Sequence, residues 1–320
     1  MRDVISGGFA DGRKQPWSRK YIRVVDWNID RGLQFSGILN FLRVAEADLI
    51  LLQEVDLNAR RTQHRDVARE LARSLQLNYV FGMEFQELSE GSRSSPAFHG
   101  QATLSPWPLS NGRIIRFQHQ SNFWKPHWYV PRVELFQRRL GGRIALVSEA
   151  LINRQRILTY NLHLESQGED VLRLQQLQVA LENARGHAEC SLVILGGDFN
   201  LNAGTGDASR MLLSSGFHDA VRLPKIPTTS VRGLFQHGRA IDWIYVSADI
   251  CSVGQVHNRV RASDHYPISA ELWRGDCGVS ALNGRPQAQG RSIEPPPLFT
   301  PQQSLHNSFQ SSLQNPQIVP

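Results

Sequence analysis

The sequence predicts an α/β domain with a two-layer sheet core and helices on its outer faces. Two observations lead there. The opening third alternates short apolar runs with amphipathic stretches and reads strand–helix–strand–helix–strand. Further apolar runs, with helical stretches between them, continue to about residue 273 without any internal repeat. Many strands and interleaved helices in a domain of roughly 255 residues suit packed sheets covered by helices.

Residues 1–20 are Gly-rich and polar and read as a flexible lead. YIRVVDWNID (21–30) is a short apolar run with a polar end at Asn28 and Asp30, hence a strand followed by a loop. Apolar residues at Phe35, Ile38, Leu39, Leu42 and Ala45 make a helical face. DLILLQEV (48–55) is a buried strand ending in Gln53 and Glu54, DVARELARSLQL (66–77) an amphipathic helix, and NYVFGMEF (78–85) a third strand. Residues 86–100 read as a loop, and GQATLSPWPLS (100–110) holds a short strand.

FQHQSNFWKPHWYVP (117–131) sets Phe117, Phe123, Trp124, Trp128 and Tyr129 among basic residues and histidines, which predicts an irregular, protruding lip. GRIALVSEALI and QRILTYNLHL pair as a hairpin through Asn153 and Arg154. A long helix fits Glu169–Ala184. LVILGGDFN (192–200), RAIDWIYVSADI (239–250) and SDHYPISAELW (263–273) are strands, and RMLLSSGFHDAV (210–221) is a short helix and turn. The Pro-, Gln- and Ser-rich segment 277–320 reads as a disordered tail, leaving residues 21–276 as the domain.

Bulk properties exclude more than they assign. The chain has 320 residues, 41% of them hydrophobic, enough for one large core. Of the formal charge of +6, the first 20 residues carry +3 and the tail +1, leaving too weak a field to argue for nucleic acid by itself. The sequence shows no signal peptide and no membrane-length apolar run, so a cytoplasmic protein without stable membrane insertion is expected. It gives no sign of an obligate protein partner, and a monomer is expected. Three cysteines without a CxxC argue against a disulfide scaffold, and Cys190 and Cys251 read as small core or strand-end residues.

The polar residues just past the apolar runs, or within them, are the informative ones. They are Asn28 and Asp30, Glu54, Asn161 and His163, Asp198 and Asn200, Asp242, and Asp264 and His265. Hard divalent cations such as Mg²⁺ or Mn²⁺ want such carboxylate and amide oxygens. The two imidazoles suit a phosphate oxygen or a proton. Taken singly, each has a plain reading as a turn former or a solvated loop group. Asp242 is the exception, because it stands between Ile241 and Trp243 in an apolar run, where a carboxylate needs a partner.

In order, WNID (27–30), LLQEV (51–55), TYNLHL (159–164), GGDFN (196–200), IDWIY (241–245) and SDHYP (263–267) resemble the motifs of the endonuclease/exonuclease/phosphatase superfamily. The resemblance spans residues 21 to about 273. It implies a four-layer α/β sandwich of two packed mixed β-sheets flanked by helices. It implies a Mg²⁺- or Mn²⁺-dependent phosphoester hydrolase in which Glu54, with Asn28 beside it and Asp264 nearby, holds the metal. By the same resemblance Asp198 activates water, Asn200 orders water or phosphate, His163 and His265 contact phosphate, and Asp242 holds the ring of His265. Asp30 matches an acidic position of the abasic-site branch. Gln101 and Pro106 depart from the family pattern where relatives place an asparagine and an arginine, which leaves Arg60 or Arg61 to serve a phosphate.

Three substrate classes follow. A nuclease acting on DNA or RNA gains from Trp124, Trp128 and Tyr129 as stacking surfaces, with Arg132, Arg138 and Arg139 near a backbone. A sphingomyelinase-like or small-molecule phosphodiesterase or phosphatase uses the same aromatics against a hydrophobic substrate. A non-catalytic binding protein of the same fold requires a broken site, and this set of residues is intact.

Overall fold

The alternation of apolar side chains along each strand builds three cores stacked through the molecule. In β2 (Ile22–Arg31) and β3 (Leu49–Leu57), the side chains of Ile22, Val24, Leu49 and Leu51 point inward. There they meet Ile157 of β9 (Gln155–His163), Ile194 of β10 (Leu192–Asp198) and Ile244 and Val246 of β12 (Asp242–Ser247). The intervening residues of the same strands point outward. Val25, Trp27, Ile29, Ile50 and Leu52 pack on Ile38 and Leu42 of α1 (Phe35–Ala45) and on Val67 and Leu71 of α2 (Val67–Leu75). On the far side Leu158, Tyr160, Val193, Leu195, Trp243 and Tyr245 pack on Leu177 and Leu181 of α3 (Asp170–Arg185) and on Leu212 of α4 (Gly206–Ser214). Period-two strands buried on both faces thus give a helix–sheet–sheet–helix sandwich, the predicted four layers.

One sheet has the order β1 (Val4–Gly8), β4 (Asn78–Glu87), β5 (Ala97–Ser105), β3, β2, β14 (Ile268–Trp273), β13 (Cys251–Val256), with β7 (Arg139–Gly141) also on β4. The other runs β11 (Phe217–Asp219), β12, β10, β9, β8 (Ile144–Ile152), β6 (Leu109–Arg116). Both are mixed. β2 and β3 are parallel, as are β9 and β10, and the remaining pairs are antiparallel. The computed structural model describes residues 3–11, 20–124, 126–131, 136, 139–187, 190, 192–221, 226–230, 237–247, 249–275 and 277. The expected tail beyond Cys277, together with Arg132 and Arg138, lies outside them.

Several expectations need correction. The lead is not featureless, because Val4–Gly8 pairs in register with Asn78–Gly82 and extends the sheet at its edge. Tyr79 and Val80 carry the apolar surface there, so a Gly-rich strand with no core of its own still gains a full ladder. β6 and β13 are complete strands where the sequence offered part of one and none, since partly exposed edge strands lack a strong apolar run. Cys251 is not a lone core residue. It forms a disulfide with Cys277, their Cα atoms 5.2 Å apart, and this ties the segment after β14 to β13. The expected hairpin turn is present, with Asn153 and Arg154 both left-handed (φ 49° and 64°), the geometry that a two-residue turn needs.

Candidate active site

The parity that makes the central core also makes the site. Continuing the inward-facing positions toward the strand ends replaces aliphatic side chains with polar ones. Asp26 and Asn28 follow Val24, and Gln53 follows Leu51. Asn161 and His163 follow Ile157 and Thr159, Asp198 follows Ile194, and Asp242 precedes Ile244. The first polar layer is bonded across both sheets, with Asp26 Oδ2 and Gln53 Oε1 left without a hydrogen-bond partner. Gln53 Nε2 donates to Asp26 Oδ1 and Asn161 Oδ1, both at 2.8 Å, and Asn161 Nδ2 donates to the carbonyls of Leu52 and Ala102.

Above that layer lie the groups with free chemistry. Register sets His163, Asp198 and Asp242 side by side on β9, β10 and β12. From the facing sheet Asn28 Nδ2 reaches Asp198 Oδ2 at 3.2 Å. His265 comes from the segment before β14 and is fixed from below. Trp27 Nε1 donates to its carbonyl at 2.9 Å, and Ser263 Oγ accepts from its N–H while donating to the Asn28 carbonyl. The two glycines before Asp198 allow this approach. A Cβ on Gly196 would stand 2.6 Å from Leu51 Cδ1 of the facing sheet, and one on Gly197 (φ 145°) would run into the Leu162 carbonyl. Asn200, left-handed at φ 52°, then turns back so that its N–H donates to Asp198 Oδ1 at 2.9 Å.

Two carboxylate–imidazole pairs flank Asp198. His265 Nδ1 lies 2.9 Å from Asp242, whose Oδ2 also accepts from Thr228 Oγ1 at 2.5 Å. His265 Nε2 faces Asp198 Oδ2 at 3.8 Å. Burial pushes the His265 imidazole down, but the charges of Asp242 and Asp198 outweigh it and hold its pKa at about 10. On the other side His163 Nε2 also lies 3.8 Å from Asp198 Oδ2, and His163 Nδ1 lies 3.4 Å from Glu84 Oε2. Arg143 Nη1 is 2.6 Å from Glu84 Oε1 and 2.9 Å from both ring nitrogens of His163. Burial would raise the Glu84 pKa, yet Arg143 and His163 bring it down to about 2.

Glu54 leaves the ladder at a register shift between Leu52 and Val55, with φ 52°. Burial alone would raise its pKa, but Arg31, His99, His163 and Arg139 hold it well below the usual carboxylate range. Asp26 goes the other way. Burial and the charges of Asp242 and Asp198 push it well up, and its Oδ2 has no hydrogen-bond partner.

The donor set fits a hard divalent ion. Asp198, Asp242 and His265 form a cluster able to hold one, with ligand atoms all within 4.8 Å of one another. Burial first, and then the charge of nearby Asp198, pushes both Asp26 and Asp242 upward. Neither Glu54 nor Asp264 belongs to that cluster, a difference from the trio Asn28, Glu54 and Asp264 expected from sequence. Asp264 Oδ1 lies 3.3 Å from Ser263 Oγ, half-buried beside His265.

Of the expected substrate contacts, Asp30 pairs with Arg31 at the end of β2. Arg61 is corrected. Its guanidinium grips Asp56 at 2.7 and 2.8 Å and Glu87 at 3.0 Å, so it serves a buried ion network instead of an open phosphate site. Trp124 is corrected as well. Its Nε1 donates to Glu165 at 3.1 Å, and Arg139 lies over its ring at 4.9 Å, so it anchors the lip and offers little face. Trp128 and Tyr129 point outward, 97% and 65% exposed. Glu84 and Asp26 carried the same signal as Asp242, a carboxylate inside an apolar run, whereas nothing local marked Arg143 or Thr228.

No curated protein sequence matches the chain. Solved structures do. An endonuclease/exonuclease/phosphatase from Beutenbergia cavernae is 18% identical over 82% of this chain and 73% of its own, with a TM-score of 0.59. The family protein from Bacteroides vulgatus is 16% identical over 80% and 100%, with a TM-score of 0.56. Truncated TDP2 from Caenorhabditis elegans is 20% identical over 79% and 98%, with a TM-score of 0.51. At these identities the likeness is one of fold. The Endonuclease/Exonuclease/phosphatase family model, however, matches residues 27–265, from the tryptophan of WNID to the histidine of SDHYP. With that match and the clustered carboxylates and imidazoles at the strand ends, the chain belongs to the endonuclease/exonuclease/phosphatase family.

Proposed function

We propose that the protein is a Mg²⁺- or Mn²⁺-dependent phosphodiesterase that cuts a nucleic-acid strand by in-line attack of water. The family fold and the metal-competent cluster support metal-dependent phosphoester hydrolysis. The observation that carries the reading is the meeting of Asn28 with Asp198, between His163 and His265, where strands of both sheets end.

In this reading Glu54 and Asn28 hold the ion, with Asp264 at its rim. His265 is held at Nδ1 by Asp242 and turns Nε2 toward Asp198, the position from which it donates. When bound, the ion would neutralise a phosphoryl oxygen and charge on the leaving group. Asp198, fixed by Asn28 and the Asn200 N–H, orients the water and takes its proton. His265 donates Nε2–H to a phosphoryl oxygen that gains charge, with Asp242 holding its ring. His163, held by Arg143 and Glu84, faces the same space from the other side. Asn200 steadies the phosphate, and Asp30, Trp128 and Tyr129 meet the substrate outside the centre.

A second reading, a sphingomyelinase-like enzyme, is favoured by one feature, the almost fully exposed Trp128 on the lip. The test is hydrolysis of bis-p-nitrophenyl phosphate, single- and double-stranded DNA, RNA and sphingomyelin vesicles with Mg²⁺, Mn²⁺ or EDTA. Nucleic acid should be cut and sphingomyelin spared, with EDTA abolishing turnover. Glu54→Gln and His265→Ala should each lower kcat about 10²-fold or more. Wild-type turnover by either would remove its assigned role.

A further inference from the structure

Next to the proposed metal carboxylate the backbone does something costly. Asp30, Arg31 and Gly32 are consecutive left-handed residues, with φ of 43°, 66° and 83°. Only the glycine adopts that conformation freely, and a residue with a Cβ is strained there. The strain has a direction. β2 slips register against β3 between Asn28 and Arg31, and β3 slips against β5 between Leu52 and Val55. The bulges take Ile29–Asp30 of β2 and Glu54 of β3 out of the regular pairing, and Arg31, back in register opposite Val55, stands beside Glu54.

The resulting contact is loose. Arg31 Nη2 is 3.7 Å from Glu54 Oε2, beyond hydrogen-bond length, while Nη1 rests on Asp30. The side chains of Arg31 and Glu54 are 31% and 23% exposed. The other arginines of this region are locked. Arg61 sits 2.7 Å from Asp56, Arg139 2.9 Å from Glu87 and Arg143 2.6 Å from Glu84, against carboxylates with no exposed side-chain surface. Among the described arginines here, Arg31 is the one whose contact with its neighbouring carboxylate Glu54 is longer than a hydrogen bond and partly exposed, while Asp30 still holds its Nη1.

We propose that Arg31 is the counter-cation of Glu54 in the metal-free protein, that a divalent ion competes with it there, and that the released guanidinium binds a phosphoryl oxygen of the substrate. The chemistry suits both duties. A guanidinium neutralises a carboxylate without titrating, and its fork matches a phosphate. The left-handed run Asp30–Gly32 carries Arg31, whose guanidinium stands beside Glu54 with 31% of its side chain exposed. The inference rests on Glu54 holding the metal in the proposed function.

The test is calorimetric titration of EDTA-stripped protein with Mn²⁺ alone, then of the Mn²⁺-saturated protein with inorganic phosphate. Removing a unit charge a few ångströms from the ion predicts that Arg31→Gln binds Mn²⁺ roughly fivefold to tenfold more tightly than wild type. Arg31→Lys should stay near wild type, and Glu54→Gln should lose the ion. Phosphate should bind the Mn²⁺-loaded Arg31→Gln protein at least about fivefold more weakly. Arg31→Gly, which suits the left-handed backbone, repeats the measurement if the glutamine variant does not fold.

Equal or weaker Mn²⁺ binding by a folded Arg31→Gln or Arg31→Gly protein overturns the competition. Unchanged phosphate affinity overturns the second duty. If wild type binds no Mn²⁺, or Glu54→Gln binds it as wild type does, the metal assignment falls and the inference falls with it.

Discussion

At the scale of single residues, the chemistry rests on how charge is partnered in a buried place. His265 is an imidazole that would lose its proton on burial, were Asp242 not 2.9 Å away. Its folded pKa of about 10 lies above the ordinary 6.5. The stability linked to this proton is fully present below about pH 6.5 and is lost as pH rises through about 10. Asp242→Asn removes the charge that raises it. We expect the alkaline limb of the pH–rate profile to move down toward 6.5 in that variant, with kcat lower by about 10²-fold. An alkaline limb unchanged from wild type would show that another group sets it. His163 has a different partner set, Glu84 inside an apolar run and Arg143 just before β8, and of the two only Glu84 was marked by its sequence context.

At the scale of elements, most of the architecture was legible because strand and helix periods write themselves into the chain. The amphipathic stretch from Asp66 is α2, and its start is chemically marked. The Asp66 side chain accepts from the Arg69 N–H at 3.1 Å, capping the first turn. Asp66→Ala should lower unfolding free energy by about 1 kcal/mol in urea titration, and Asp66→Asn should restore most of it. The turn at Asn153 and Arg154 was legible for the same local reason. What periodicity did not show were edges. β1 and β13 carry few apolar residues, so their pairing is decided by the open ladders of β4 and β14. The aromatic lip was legible in composition only. Trp124 and Trp128 stand four residues apart in one segment, yet one is tied to Glu165 and the other is bare, a distinction that depends on a carboxylate far along the chain.

At the scale of the whole molecule, the sandwich is closed at one edge by a covalent tie. The Cys251–Cys277 bridge spans 26 residues and holds the end of the described domain to β13. A loop of that size is worth about 2–4 kcal/mol, so Cys277→Ser should lower the denaturant midpoint accordingly. Thiol titration in denaturant without reductant should find one reactive cysteine, Cys190, and three after reduction. Three without reductant would refute the bridge. Disulfides persist in oxidising surroundings, so the same count bears on the compartment in which the protein works. No helix among the described residues is long and apolar enough to cross a membrane.

Strand and helix order through the centre of the chain, and the motif residues at the strand ends, could be read from residue order alone. Those are local properties, since side-chain alternation and turn chemistry act over a few residues. Even the convergence of Asn28, His163, Asp198 and Asp242 follows from parity, because every one occupies an inward-facing position of its strand. Only the tertiary structure decided which charges pair. Arg61 was claimed by Asp56 and Glu87, Arg143 by Glu84, and Arg31 by Asp30, with Glu54 further off. The reason is that Coulomb attraction and desolvation depend on distance through space and on depth below the surface. Neither is written in the order of residues along a chain.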